Sequence, residues 1–318
     1  MCSRERIILR AAKALARSPA ARCIDPDAEM PWLPFTADGQ RIRTKALDEP
    51  LRDVEARELR AFVEAIEAMI GPEVSELQSF VRGYRGDPRR LIDETMSRAR
   101  FLGPTVTEAV RGAAMPYATL MANAGASAAI SSLPKQILEL ESMVRFADPA
   151  AGIFTANPLA VNAARSSAAR MAETVWGGVA DRVSNVIASG IEEGLPIRDI
   201  ARGIGEFGFD RSRAEMIART ESAYAYTEGQ VEAWKETGVV VGKRWVLSPD
   251  ACEFCEAAAD EYGDNPIPLG ESFYDIGDSL EGALGSLMGF SYRNVDGPPL
   301  HPNCRCAMIA EIDPKFLP

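Results

Sequence analysis

Apolar residues recur at three- and four-residue steps along most of this chain, the spacing of helices with one buried face. Leu51, Val54, Leu59, Phe62, Val63, Ile66, Met69 and Ile70 predict a helix that Gly71-Pro72 should stop. Helical segments are expected over 72–84, over 88–102 after Asp87 as cap, over 104–129 and over 134–146, each opened by a proline. A further helix should start at Pro158 behind Asn157 and run to about Glu193, where Gly194 ends it. Its stripe is Val161, Ala164, Ala168, Met171, Val175, Val179, Val183 and Ile187, and it is expected to be the longest element. A short helix over 196–204 follows. Asp210 then caps a helix from Arg211 to about Thr237, with Gly238 past its end.

The period changes after Gly238. Residues 239–241 and 243–247, broken at Gly242, read as a strand, and 308–310 as a second strand returning beside it. Between them, 260–299 is rich in Gly, Asp and Pro, with a helix expected near 279–288. At the other end, Ile7, Ile8, Leu9, Ala11, Ala12, Ala14 and Leu15 make a short amphipathic helix, and 23–50 reads as an extended arm anchored by Trp32 and Phe35. Asp148-Pro149-Ala150-Ala151-Gly152 is the best internal boundary. The expected fold is mainly α: a helical N-terminal region over 1–150, then a long-helix core over 151–318. The core carries a small α+β module at 245–310 tied by cysteine and histidine.

That module holds four of the six cysteines and the only histidine. Cys252-x-x-Cys255 puts two thiols on one turn, and His301-x-x-Cys304-x-Cys306 offers three more soft ligands on another. Five candidates exceed the four bonds of a tetrahedral Zn²⁺ site, and Cys252, Cys255, His301 and Cys304 are preferred, with Cys306 the alternate. A disulfide between the two turns and reduced packing thiols are the alternatives; a reducing cytoplasm favours metal over the disulfide. Four protein ligands leave no open position for water, which makes the zinc structural.

Catalytic motifs fit poorly. A zinc deaminase needs His-x-Glu, but Pro302 and Asn303 follow His301; a His-Glu-x-x-His metalloprotease needs a second histidine. A redox Cys-x-x-Cys would have its thiolate opposed by Asp250, Glu253 and Glu256. Neither a Walker loop nor a dinucleotide glycine fingerprint is present. Arg219 and Glu221, flanking Thr220, read as a structural clasp.

Charge narrows the partners. Of the formal −11, residues 246–318 hold −10, from 13 Asp/Glu against 3 Lys/Arg. Such a surface repels DNA and suits a basic protein face, so any DNA contact falls elsewhere on the chain. Arg4, Arg6, Arg10, Lys13 and Arg17 interrupt the first apolar run, which excludes a signal peptide. The uncharged run 112–134 is long enough to span a membrane, but its Ala, Gly, Ser and Thr content predicts close helix packing instead of stable insertion.

Ile217-Ala218-Arg219-Thr220-Glu221, the helix after it, Trp245, Asp250 with the Cys-x-x-Cys, and Pro298-Pro299-Leu300-His301-Pro302-Asn303-Cys304-Arg305-Cys306 together resemble a known domain. It is the C-terminal domain of tailed-phage head morphogenesis proteins similar to the F protein of phage Mu. The resemblance covers roughly residues 155 to 310. It implies a minor head protein of a phage or prophage that works with portal, scaffold or major capsid protein inside the procapsid near the portal vertex, and that can leave with the DNA. It also implies structural roles for Arg219, Glu221, Trp245 and Asp250. Some relatives carry a toxin or nucleotide-modifying domain beyond this module; with twelve residues after Cys306, none is expected here. The competing expectation is a small zinc- or thiol-dependent enzyme, redox or hydrolytic, built on the same cysteines.

Overall fold

The computed structural model describes residues 49–134, 137, 158–207 and 209–317. The chain is mainly α. Among the described residues the α-helices that come first are α1 (Glu49–Gly83), α2 (Leu91–Ser131), α3 (Pro158–Glu192), α4 (Ile197–Phe207) and α5 (Arg211–Thr237). Strand β1 (Val240–Val246), helix α6 (Glu253–Tyr262), and strands β2 (Ile267–Pro268), β3 (Ser279–Glu281), β4 (Leu287–Gly289) and β5 (Ala307–Ile312) follow. The expected amphipathic helix near the N-terminus, the arm over 23–50 except for Glu49 and Pro50, which open α1, and most of the helix over 134–146 lie outside the described residues.

The helices are longer than their prolines suggest. Gly71-Pro72 does not stop α1, and α2 runs through Pro104 and Pro116 to become, at 41 residues, longer than the 35-residue α3. A proline inside a helix costs about 3 kcal/mol. The buried stripe of α1 continues past it, however, through Val74, Leu77 and Val81, and each such side chain contributes about 1.5–3 kcal/mol. Ser75 Oγ also donates to the Gly71 carbonyl at 2.9 Å. Asp87 caps as expected, accepting from the Arg89 amide at 3.0 Å, but it caps the 3₁₀ turn Pro88–Arg90 that leads into α2.

The chain divides into two units. In the first, formed from 57–117 and 166–221 among the described residues, Phe62 stacks on Tyr117 with ring centroids 4.6 Å apart. The α3 stripe is buried there from Ala168 through Ile187 as its spacing predicts. Gly194, with φ +67°, ends the turn after α3, and the Asp210 carboxylate accepts from the Arg213 amide to cap α5.

The second unit takes in 49–56, 118–134, 137, 158–165 and 222–317 among the described residues. Here the small residues of the uncharged run let α2 and α5 touch backbone to backbone. A Cβ on Gly125 would lie 1.9 Å from the Tyr226 carbonyl oxygen, and one on Gly229 would lie 2.1 Å from that of Ala122. Trp234, fully buried, donates its indole N–H to the Ala129 carbonyl at 3.2 Å. Among the described residues no helix is long and apolar enough to cross a membrane.

A three-stranded antiparallel sheet, order β2-β1-β5, packs on these helices. Lys243 pairs with Ala310, Trp245 with Met308 and Val246 with Ala307. The expected helix near 279–288 is instead the hairpin β3–β4. Its apolar residues alternate: Leu280 is buried between exposed Ser279 and Glu281, a period of two, and Gly285 with φ +79° makes the turn.

Candidate functional site: a cysteine and histidine cluster at the end of the sheet

The β1–β5 pairing builds the site. In an antiparallel pair the end of one strand lies beside the start of the other. Val246, the last residue of β1, therefore faces Ala307, the first of β5. The segment leaving β1 carries Cys252 and Cys255; the segment entering β5 carries His301, Cys304 and Cys306. Residues nearly fifty positions apart meet for that reason.

Each segment has local geometry of its own. Cys252 is the N-cap residue of α6 and Cys255 sits in its first turn, so the Cys-x-x-Cys lies on a helix start and not on a free turn. On the other side the Cys304 amide donates to the His301 carbonyl at 3.1 Å, closing a turn in which Asn303 takes a left-handed conformation, φ 62°. Asparagine is among the few side chains that accept it readily. The segment before it packs tightly: a Cβ on Gly297 would strike the Met308 sulfur and Thr227, and the Thr227 hydroxyl donates to the Pro298 carbonyl.

The ligand atoms form two triads that share Cys255: Cys252, Cys255 and His301, and then Cys255, Cys304 and Cys306, all within 4.8 Å inside each triad. His301 Nε2 is 3.1 Å from Cys252 Sγ and 3.2 Å from Cys255 Sγ, and Cys255 Sγ is 3.6 Å from Cys304 Sγ. A carbonyl can only accept, so the 2.9 Å contact of His301 Nδ1 with the Pro302 carbonyl puts the ring proton on Nδ1. In the neutral ring Nε2 then carries the lone pair, and it faces the two sulfurs, the orientation a metal ligand needs. Tetrahedral zinc, with Zn–S bonds of about 2.3 Å, holds sulfurs roughly 3.8 Å apart, close to the Cys255–Cys304 separation. These groups can hold a metal ion. No disulfide joins Cys252, Cys255, Cys304 or Cys306 to another described residue.

Protonation points the same way. Hydrogen bonds from the Cys255 and Cys306 thiols, helped by the Leu300 and Cys306 amides, hold Cys304 well below the ordinary thiol range against its burial. Cys255, hydrogen-bonded to Cys304 and Cys306 and buried, is pushed far up. Cys306 is pulled down by Cys255 but raised more by Cys304 and by burial, to about 12. Of the three buried thiols, Cys304 gives up its proton most readily and Cys255 least. A divalent ion would balance several thiolates at once, and the amide donors already stand at Cys304.

Three supports were not visible in the pattern of the chain. Glu253, beside Cys252, accepts from the Leu284 amide at 2.9 Å and the Ser286 hydroxyl at 2.8 Å, pinning the hairpin tip to the start of α6. An aromatic ladder of Trp245, Phe273, Tyr262, Tyr274 and Phe290 runs through the module, with successive centroids 4.6–5.4 Å apart. Lys243 is 1% exposed, donates to the Asp296 carbonyl at 2.6 Å and lies over the Phe273 ring.

Burial lowers the pKa of Lys243 from 10.5 to about 8, although Asp296 and Glu271 pull it up. The folded chain thus loses this proton before the unfolded chain does. The resulting penalty is full below about pH 8 and fades as pH rises toward 10.5, a change of about 3 kcal/mol. Lys243→Met removes the penalty. Relative to wild type, the variant is expected to lose that much stability between pH 7.5 and 10.5, as urea unfolding at both values would reveal.

Of the other singled-out residues, Glu221 is 4% exposed and pairs with Arg170 on α3, Nε to Oε2 2.8 Å, while Ser167 Oγ donates to its backbone carbonyl at 2.6 Å. The arginine that meets this carboxylate comes from 51 residues earlier, and neighbouring Arg219 is half-buried on α5. Trp245 is buried edge-on against Phe273, and Asp250 is exposed between β1 and α6.

Fold and site together define a class: a mainly helical protein whose C-terminal module closes on four cysteines and a histidine. Residues 181–309 match the family model described as Phage Mu protein F like protein, so this part of the chain is similar to the phage head morphogenesis family whose motifs it resembles. The match begins inside α3 and takes in both cysteine segments. No curated protein and no solved structure matches the chain.

Proposed function

We propose that the chain is a structural minor head protein of a tailed phage or prophage, associating with the portal, scaffold or major capsid protein as the procapsid assembles. It would lie inside the shell near the portal vertex, a place from which it can be delivered with the DNA. One observation carries the reading: the Phage Mu protein F like match spans the cysteine and histidine module as well as the helices before it. The acidic balance of 246–318 adds to it, because that surface suits a basic protein partner and repels a duplex. Within the module we assign a structural Zn²⁺ to Cys252, Cys255, His301 and Cys304, with Cys306 as alternate. Thiolate and imidazole are zinc's preferred ligands, and four of them close its shell.

Co-expression with portal, scaffold and major capsid proteins, followed by affinity purification, tests the assignment. Stable association with one of the three is expected, and the pure protein should carry one zinc. A second reading, a thiol-dependent enzyme, draws on Cys252 at the start of α6, where reactive cysteines are often found. Against it, Glu253 and Glu256 add negative charge to the same turn, and His301 already sits on the sulfur. If no head protein binds, and Cys252→Ser abolishes a turnover while leaving the melting temperature unchanged, the second reading replaces the first.

A further inference from the structure

The hairpin β3–β4 leaves large apolar side chains in water. Leu284 is 86% and Leu287 72% exposed, and Ile276 and Tyr292 in the flanking segments are 60% and 58% exposed. A loop with nothing to hold it could show such residues by chance, but this one is held. Both oxygens of Glu253 bind its tip, and Gly282 is placed so that a Cβ would strike that carboxylate. Its base is fixed as well. The Gly277 amide donates to the Phe290 carbonyl at 2.8 Å, the Phe290 amide donates to the Asp278 carbonyl at 2.9 Å, and Tyr274 stacks on Phe290.

The charged residues within 275–292 are all acidic. Asp275, Asp278 and Glu281 are exposed. Arg293, the only basic residue between Arg244 and Arg305, is committed elsewhere: it pairs with Glu228 at 2.6 Å and lies 4.0 Å over the Tyr224 ring. Apolar side chains on a fixed support, with exposed carboxylates along the same segment, make a surface that gains from a partner with exposed apolar groups set among lysines and arginines.

From this geometry we infer that the 276–292 hairpin face is the docking surface for a basic, apolar-studded face of a head protein. The inference rests on the assembly reading above and names the part of the chain that does the binding. Leu284 and Leu287 supply the apolar contact, and the carboxylates set orientation and speed of encounter. Because Glu253 lies between the two cysteines of α6, the support of the surface belongs to the same helix start as the metal ligands.

The test uses the full chain and whichever of the portal, scaffold or major capsid proteins it binds. Leu284→Asp with Leu287→Asp is expected to weaken that binding at least about tenfold, the size of loss for removing a central apolar contact. Zinc content and melting temperature should stay at the wild-type values. Glu281→Lys should slow association and flatten its salt dependence. Leu284→Ser alone, at a residue almost wholly in water, provides a variant that folds even if the double change does not; it should still cost a few-fold in affinity.

If the wild type binds a head protein and all three variants bind it equally well, the docking inference is overturned while the assembly reading stands. If the wild type binds none of the three, both fall. If the hairpin variants instead abolish a self-association of the wild type, the occupant is a second copy of this chain and the inference is likewise overturned.

Discussion

Cys255→Ser is expected to abolish zinc retention and to destabilise the protein more than a change at any other ligand. Cys255 is the one atom common to both triads: without it the remaining ligands fall into two pairs, Cys252 with His301 and Cys304 with Cys306. A serine hydroxyl does not replace a thiolate on zinc. In Cys306→Ser, by contrast, Cys252, Cys255, His301 and Cys304 all remain, so the metal should stay. Because metal binding is coupled to folding, losing it should cost several kcal/mol, roughly 10 °C or more in Tm. Elemental analysis of both variants with a thermal melt of each checks the contrast. Full zinc in Cys255→Ser would show that Cys252, His301, Cys304 and Cys306 hold the ion without it.

The second large effect lies in the close approach of α2 and α5. In an exposed helix, glycine to alanine stabilises by about 1 kcal/mol, and Gly71 in α1, with nothing within 4 Å of its added Cβ, should behave that way. At Gly125 and Gly229 the sign reverses. The new Cβ would stand 1.9 and 2.1 Å from backbone carbonyl oxygens, which cannot rotate aside as a side chain would. The helices must separate, and the Trp234 hydrogen bond to Ala129 spans the same contact. Each change should therefore destabilise by about 3 kcal/mol or more. The double variant should cost less than the sum, because one separation relieves both clashes. Urea unfolding of the three single variants and the double one gives the comparison.

Much of this architecture was legible because it depends on local pattern. The α3 stripe, the Asp210 cap and the left-handed glycines at 194 and 238 each follow from residue type and spacing alone. The meeting of the two cysteine segments was legible for a further reason: two apolar runs of strand character flank them, and pairing those runs brings the ends together. Prolines misled. Pro72 and Pro104 mark helix starts in local statistics, but burial on both sides of each carries the helix through. The hairpin was read with the wrong period, since three-residue strands offer too few positions to separate two from 3.6. Glu253, Lys243 and Arg170 were invisible for a common reason. Each acquires its role from a residue 31 to 53 positions away, and nothing near it in the chain marks the partner.

The tryptophans supply built-in optical reporters. Trp245 is buried in the core that contains Cys255, Cys304 and Cys306, whereas Trp176 lies with Gly103 in the other unit. Replacing Trp32, Trp176 and Trp234 by phenylalanine would leave Trp245 as the emitting ring. A shift of that emission to longer wavelength on adding a chelator would then follow the opening of one module in real time, without an attached dye.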